Sequence, residues 1–182
     1  HAGSIRDSII HVSRQYHSVQ RLVPTTQLLS NGNYTVMLTS AGSGFSRAGQ
    51  VAVTRWREDV TKDNWGTYFF LKDCDDQKVW SAAFQPTCVE GEHYEVSFAE
   101  DRAKFTQDYH HISSELEIFV SPESQAEVRR LTLTNRGFGV REIEVTSYCE
   151  VVLNTQAADQ AHPAFSNLFV QTEYLKDISP DM

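Results

Sequence analysis

Apolar and polar residues alternate along 140–153. Ile143, Val145, Ser147, Cys149 and Val151 share one side, and Glu142, Glu144, Thr146 and Glu150 the other. Side chains of a strand point alternately to its two faces, so this run predicts one long strand with a buried face. Cys149 then reads as a small core residue and not a nucleophile. Two more runs carry the same signal. Within 112–120, Leu116, Ile118 and Val120 oppose Glu115, Glu117 and Phe119. Within 128–134, Leu131 and Leu133 oppose Arg130, Thr132 and Thr134. Residues 34–39, 51–57, 67–71, 78–83 and 94–98 add further β-rich runs.

Turn residues separate the runs: Asn31-Gly32, the stretch 73–77, Pro122-Glu123-Ser124 and Asn135-Arg136-Gly137. Asn and Gly tolerate positive φ, so the last of these predicts a hairpin. Strands at this spacing, without helical periods between them, predict an all-β antiparallel sandwich over 27–182. Residues 1–26 read as a leader, part helical through Ile5, Ile9, Val12 and Tyr16 and part extended. Residues 157–165 predict a loop or short helix stopped at Pro163, feeding a last strand over 168–174 whose edge needs a partner.

Charge narrows the function. The chain carries 24 acidic and 16 basic side chains, a formal net charge of −8, opposite to the basic face of a nucleic-acid binder. No apolar run is long enough to insert in a membrane, and no signal-peptide pattern is visible. Cys74, Cys88 and Cys149 have no framework spacing and read as free thiols. The adjacent His110 and His111 would point to opposite faces of a strand. No metal and no cofactor are expected.

Some residues could carry recognition chemistry. Gly42 and Gly44, before Phe45, read as a turn or as a loop lining a sugar site. No Gly-Lys-Ser/Thr follows, so this is not a P-loop. Arg55 and Arg57 share one side of a strand and Trp56 takes the other. Guanidinium forks suit carboxylates, phosphates and vicinal sugar hydroxyls. The plainer alternative pairs both arginines with Glu58, Asp59 or Asp63. Trp56, Trp65 and Trp80, with Tyr34, Tyr68 and Phe69, could stack on sugars, although such rings more often fill a core. The carboxylates at 59, 63, 73, 75, 76, 90 and 92 sit in turns. No two can be placed at the spacing glycoside hydrolysis needs.

Several segments resemble one family in order along the chain. They are Leu28-Leu29-Ser30-Asn31-Gly32-Asn33-Tyr34, Gly42-Ser43-Gly44-Phe45-Ser46-Arg47 and Val53-Thr54-Arg55-Trp56-Arg57-Glu58-Asp59. Asp63-Asn64-Trp65-Gly66-Thr67, Val79-Trp80-Ser81-Ala82, Gln85-Pro86-Thr87, Thr146-Ser147-Tyr148, Glu150-Val151-Val152-Leu153 and Ala161-His162-Pro163-Ala164-Phe165-Ser166 follow. Together they resemble the N-terminal domain of glycoside hydrolase family 94. The likeness is greatest to its cyclic β-1,2-glucan synthases and weaker to its cellobiose and chitobiose phosphorylases. The resemblance implies a galactose-mutarotase-like supersandwich whose final strands lie beyond residue 182. In the parent enzyme, a hexosyl transferase or glycoside phosphorylase, an (α/α)6 barrel holds the general acid. This domain is then non-catalytic, inactive alone, and a partner of the barrel. It shapes the site for a β-glucan or glucooligosaccharide acceptor and a homodimer interface. The resemblance implies carbohydrate contact at Phe45, Ser46, His162, Phe165, Ser166 and Asn167, beside Arg55 and Arg57. Ala48-Gly49 stands where relatives tend to carry an aromatic or Trp-Arg pair, so the resemblance implies no stacking contact there. The implied location is cytoplasmic, with a parent protein that can be associated with the inner membrane. Two alternatives are an autonomous carbohydrate-binding module with an exposed aromatic platform, and an aldose-epimerase-like enzyme with a His–carboxylate pair.

Overall fold

The computed structural model describes residues 13–18, 25–59 and 61–174. Among the described residues, thirteen strands form three antiparallel sheets. The first sheet orders β1 (Arg14–Tyr16), β8 (His93–Phe98), β9 (Ala103–Tyr109), β10 (Ile112–Val120) and β11 (Glu127–Asn135). The second orders β13 (Val151–Thr155), β5 (Val51–Thr54), β4 (Gly44–Ala48), β3 (Tyr34–Thr39) and β2 (Thr26–Ser30). The third orders β12 (Ile143–Tyr148), β6 (Tyr68–Asp73) and β7 (Val79–Ser81). After β13 come two short helices, α1 (Gln156–Ala161) and α2 (Pro163–Ser166), and a 3-10 turn at Asn167–Phe169.

Alternation builds the core. Tyr34, Val36 and Leu38 of β3 are buried, as are Tyr94, Val96 and Phe98 of β8 and Ala103 and Phe105 of β9. Leu116 and Ile118 of β10, with Leu71 of β6 and Trp80 of β7, complete one cluster fed by all three sheets. Cross-strand register aligns Val96 with Phe105 and Phe105 with Leu116. Phe98 meets Phe105 edge-on at 6.1 Å, a geometry that stabilises beyond area burial. Polar ties cross the layers: the Tyr94 hydroxyl donates to the Ser40 carbonyl at 2.8 Å, and Asn31 Nδ2 to the Ser121 carbonyl at 2.7 Å. Gly44 has φ +157°, and a Cβ there would collide with the Met37 carbonyl. Glycine thus permits the close approach of β4 to β3.

The strands 34–39 and 112–120 form as expected, and those at 67–71, 78–83, 94–98 and 128–134 form with shifted ends. Other expectations are corrected. The run 140–153 is two strands in two sheets: β12 pairs with β6 and β13 with β5. The chain switches sheets at Cys149-Glu150, and a register shift between Val151 and Asn154 accompanies a positive φ at Leu153. A bulge of this kind re-aims a strand. Cys149 is exposed, and Val145 is 45% exposed. Alternation reports the pleat of a strand, and it cannot report whether anything lies against its apolar side. Asn135-Arg136-Gly137 is no hairpin, because β11 and β12 lie in different sheets. Arg136 N–H instead bonds the His111 carbonyl at 2.8 Å. Residues 168–174 form no strand; Leu168 and Phe169 are exposed on the 3-10 turn and Tyr174 beyond it. The run from Val51 ends as a strand at Thr54.

Strands β1, β2, β4 and β9 were not anticipated. Strand β9 hides because Gln107 takes a core position, donating through Nε2 to the Val89 carbonyl at 3.1 Å. Strand β4 occupies part of the expected glycine loop. Tyr16 of the expected leader lies in β1, which pairs with β8, while Ile5, Ile9 and Val12 lie outside the described residues. Trp80 is core, packed on Tyr109 at 5.0 Å.

Removing the Phe105 side chain leaves a cavity among all three sheets. Phe105→Ala should therefore cost about 3–5 kcal/mol, while Val128→Ala on the exposed side of β11 should change stability by about 0.5 kcal/mol or less. Urea unfolding of both variants checks the contrast.

Candidate carbohydrate-contact site

Strand β5 ends at Thr54, but Arg55 N–H still donates to the Glu150 carbonyl at 2.9 Å. The chain from 150 onward runs antiparallel to β5, with Val151 beside Thr54 and Thr155 beside Val51. Thr155 then caps α1, its Oγ1 accepting from Ala158 N–H at 3.3 Å. This connection carries Asp159, in the first turn of α1, over the two arginines.

Asp159 is only 2% exposed and Arg55 only 9%. Arg55 Nη2 lies 2.9 Å from Asp159 Oδ1, and its Nε lies 3.2 Å from Oδ2. Arg57 Nη1 reaches Oδ2 at 2.6 Å, and its Nη2 donates to the Asp159 carbonyl at 3.2 Å. Arg55 continues outward: Nη1 to Glu150 Oε2 at 2.6 Å and Nη2 to Asn167 Oδ1 at 2.8 Å. Two guanidiniums meet two carboxylates, so the cluster is neutral. Such burial is tolerable only with this saturation of hydrogen bonds. Burial pushes the Asp159 carboxyl up, but hydrogen bonds from Arg55 and Arg57 outweigh it and hold its pKa below the ordinary 3.8. The hydrogen bond to Asp159 also raises the Arg55 pKa, against desolvation.

The arginines pair with distant residues and not with Glu58, Asp59 or Asp63. Asp59 instead accepts from Thr61 N–H at 2.8 Å, and Asp63 accepts from the Thr39 hydroxyl at 3.0 Å. Trp56 lies tilted on Phe45 at 5.6 Å. A cavity bounded by Phe45, Arg55, Trp56 and Asp159 measures ≈ 20 Å³, enough for one water and too small for a sugar ring.

The candidate residues divide by position. Phe45, Arg55, Arg57 and Asn167 gather around Asp159. Ser46 is fully buried; its N–H bonds Thr54 Oγ1 and its hydroxyl donates to Glu127 Oε1, both at 2.9 Å. Ser166 is buried, its N–H bonded to the His162 carbonyl at 3.0 Å. His162, between the helices, is exposed. Phe165 is 59% exposed and rests on Phe169 at 5.1 Å. Reading the sequence missed Asp159 and Glu150. Their one signal is two unpaired arginines on a single strand face, which require carboxylates from elsewhere.

Among the described residues no group of three or more His, Cys, Asp or Glu side chains could hold a metal ion. No described helix is long and apolar enough to cross a membrane.

The model of the glycosyl hydrolase 94 supersandwich domain matches residues 10–179. The chain belongs to this family. The supersandwich domain is 45% identical over 148 residues to the cyclic β-(1,2)-glucan synthase NdvB of Rhizobium meliloti (strain 1021), covering 81% of this chain and 5% of that protein. It is 27% identical over 156 residues to an N,N'-diacetylchitobiose phosphorylase of Vibrio furnissii, covering 83% and 20%. It is 29% identical over 117 residues to a 3-O-β-D-glucopyranosyl-β-D-glucuronide phosphorylase of Paenibacillus borealis, covering 64% and 14%. The chain thus spans a fifth or less of the length of these relatives.

Asp159 has a folded-state pKa below its unfolded one. Its stabilising contribution is therefore fully present above the unfolded value and lost as pH falls through the folded value. Asp159→Asn leaves two guanidiniums without their central carboxylate and should cost about 3 kcal/mol at neutral pH. Thermal melts from pH 7 down to pH 3 should show a smaller acid loss in Asp159→Asn than in the unaltered domain. Parallel acid profiles would contradict the assignment.

Proposed function

We propose that this supersandwich domain is the non-catalytic, carbohydrate-contacting scaffold of a β-glucan-modifying glycosyltransferase or phosphorylase. It shapes the sugar-acceptor site of a barrel in the same protein and supports a homodimer. The observation that carries this reading is the Arg55–Asp159–Arg57 bridge. It fastens α1, and through Asn167 the end of α2, to the strand side of the domain. The exposed His162, Phe165, Leu168 and Phe169 are then held in place as an outward-facing, partly apolar ridge. A ridge fixed in advance loses little entropy on docking.

The carboxylates support the non-catalytic part. A glycosidic general acid needs a raised pKa. Among the described residues the shifted carboxyls (Asp59, Asp76, Glu117 and Asp159) all move down. Buried Asp73 and Glu117 are bound to Arg141 and Arg130. The His–carboxylate contacts among the described residues, His17 and His93 with Glu95 and His110 with Asp76, involve side chains at least one-third exposed. This disfavours an epimerase-like centre.

Phe165→Ala and His162→Ala, introduced into the enzyme that carries this domain, should raise the acceptor KM roughly three- to tenfold, the worth of one aromatic contact. Turnover at saturating acceptor and Tm should stay unchanged. Unchanged acceptor KM in both variants would refute the scaffold reading.

A further inference from the structure

Where the chain passes from β12 to β13, a second cleft opens on the Glu150 side of Arg55. It measures ≈ 220 Å³ and is lined by Arg55, Asn64, Trp65, Tyr68, Tyr148 and Glu150, with Gly66 and Pro86. Asp159 does not line it. Gly66 is buried there, and a Cβ would meet the ring of buried Tyr68 at 2.8 Å. Glycine therefore lets the 64–66 segment lie directly on that ring.

The lining has no net charge to offer. Arg55 is neutralised by Asp159 and Glu150, and the remaining groups are amide, phenol and indole. A phosphate or carboxylate finds no uncompensated cation here. Hydrogen-bonding capacity, in contrast, is left over. Glu150 Oε2 accepts from Arg55 at 2.6 Å and Oε1 from the Tyr148 hydroxyl at 3.0 Å. A carboxylate has about four acceptor positions, so about two remain, on a group already locked in orientation. The side-chain amide of Asn64 and the indole N–H of Trp65 have no hydrogen-bond partner among the described residues, and Trp65 is half-buried. A fixed acceptor, a free amide and aromatic surface around one mixed-polarity cleft suit a ring that is apolar on its faces and hydroxylated at its edge.

We propose that this cleft is a subsite for one neutral hexopyranose unit, separate from the His162–Phe169 ridge. Glu150 accepts from a sugar hydroxyl, Asn64 bonds its neighbour, and Trp65 supplies apolar area. Glu150 and Asn64 are binding residues; Arg55 and Tyr148 are positioning residues acting through Glu150. The choice of a sugar over another neutral polyol rests on the scaffold reading above.

Calorimetric titration of the protein with the β-1,2-linked disaccharide of glucose tests this, with cellobiose and glucose 1-phosphate alongside. Saturable binding of the neutral disaccharide is expected, with no gain in affinity from the phosphate. Asn64→Ala, at an exposed side chain without a partner, should keep the Tm and weaken binding about fivefold, the worth of one neutral hydrogen bond. Trp65→Ala should remove measurable binding, and Val128→Ala on the exposed side of β11 should leave it unchanged. Absence of saturable heat at tens of millimolar sugar overturns the subsite, as does binding indifferent to both Asn64→Ala and Trp65→Ala. The scaffold reading is judged by acceptor KM at Phe165 and His162, so the two fail separately.

Discussion

A buried carboxylate shared by two arginines organises the functional end of this domain. Asp159 sits in a helix of six residues, too short to persist in water on its own. Its place is set by tertiary contacts, among them the ion pairs of Asp159 with Arg55 and Arg57. Arg55 and Arg57 stand on one side of the segment after β5, and Asp159 closes on both. The cost of desolvating these groups is met because every ion has several hydrogen-bonded partners. The same Arg55 reaches Asn167 and Glu150, so one guanidinium ties the helical segment, the strand-switch segment and β5 together.

The sandwich provides the stiffness this arrangement needs. Leu29, Val36, Leu71, Trp80, Phe105 and Ile118 are almost wholly buried in one cluster, and close-packed interiors deform little. The exposed ridge from His162 to Phe169 and the cleft beside Glu150 are both attached to that cluster through β5 and β13. The function proposed above would lie in presenting groups at fixed positions, with the bond chemistry left to another domain.

Much of the fold was legible because strands announce themselves locally. The alternation in 112–120, like the β-rich run at 34–39, needed nothing outside the run. It failed at 140–153, where one continuous pattern spans a sheet switch. The pattern records which way each side chain points, while the switch at Cys149-Glu150 depends on pairing with β6 and β5, far away in sequence. Strand β9 was hidden by the buried polar Gln107, and 168–174 pairs with no described strand. The site divides in the same way. Arg55 and Arg57 were visible as a pair on one face. Asp159, 104 residues from Arg55, and Glu150, 95 residues away, were not, because ion pairs across the fold leave no local spacing.

The central claim is that the Asp159 carboxylate holds the helical segment in place. Amide hydrogen exchange tests it most directly. In Asp159→Asn, amides of α1 and α2 should exchange faster by roughly a hundredfold, the opening expected from loss of a buried ion partner. Those of β9 and β10 should keep their rates. Equal protection of α1 and α2 in the variant and the unaltered domain would contradict the account.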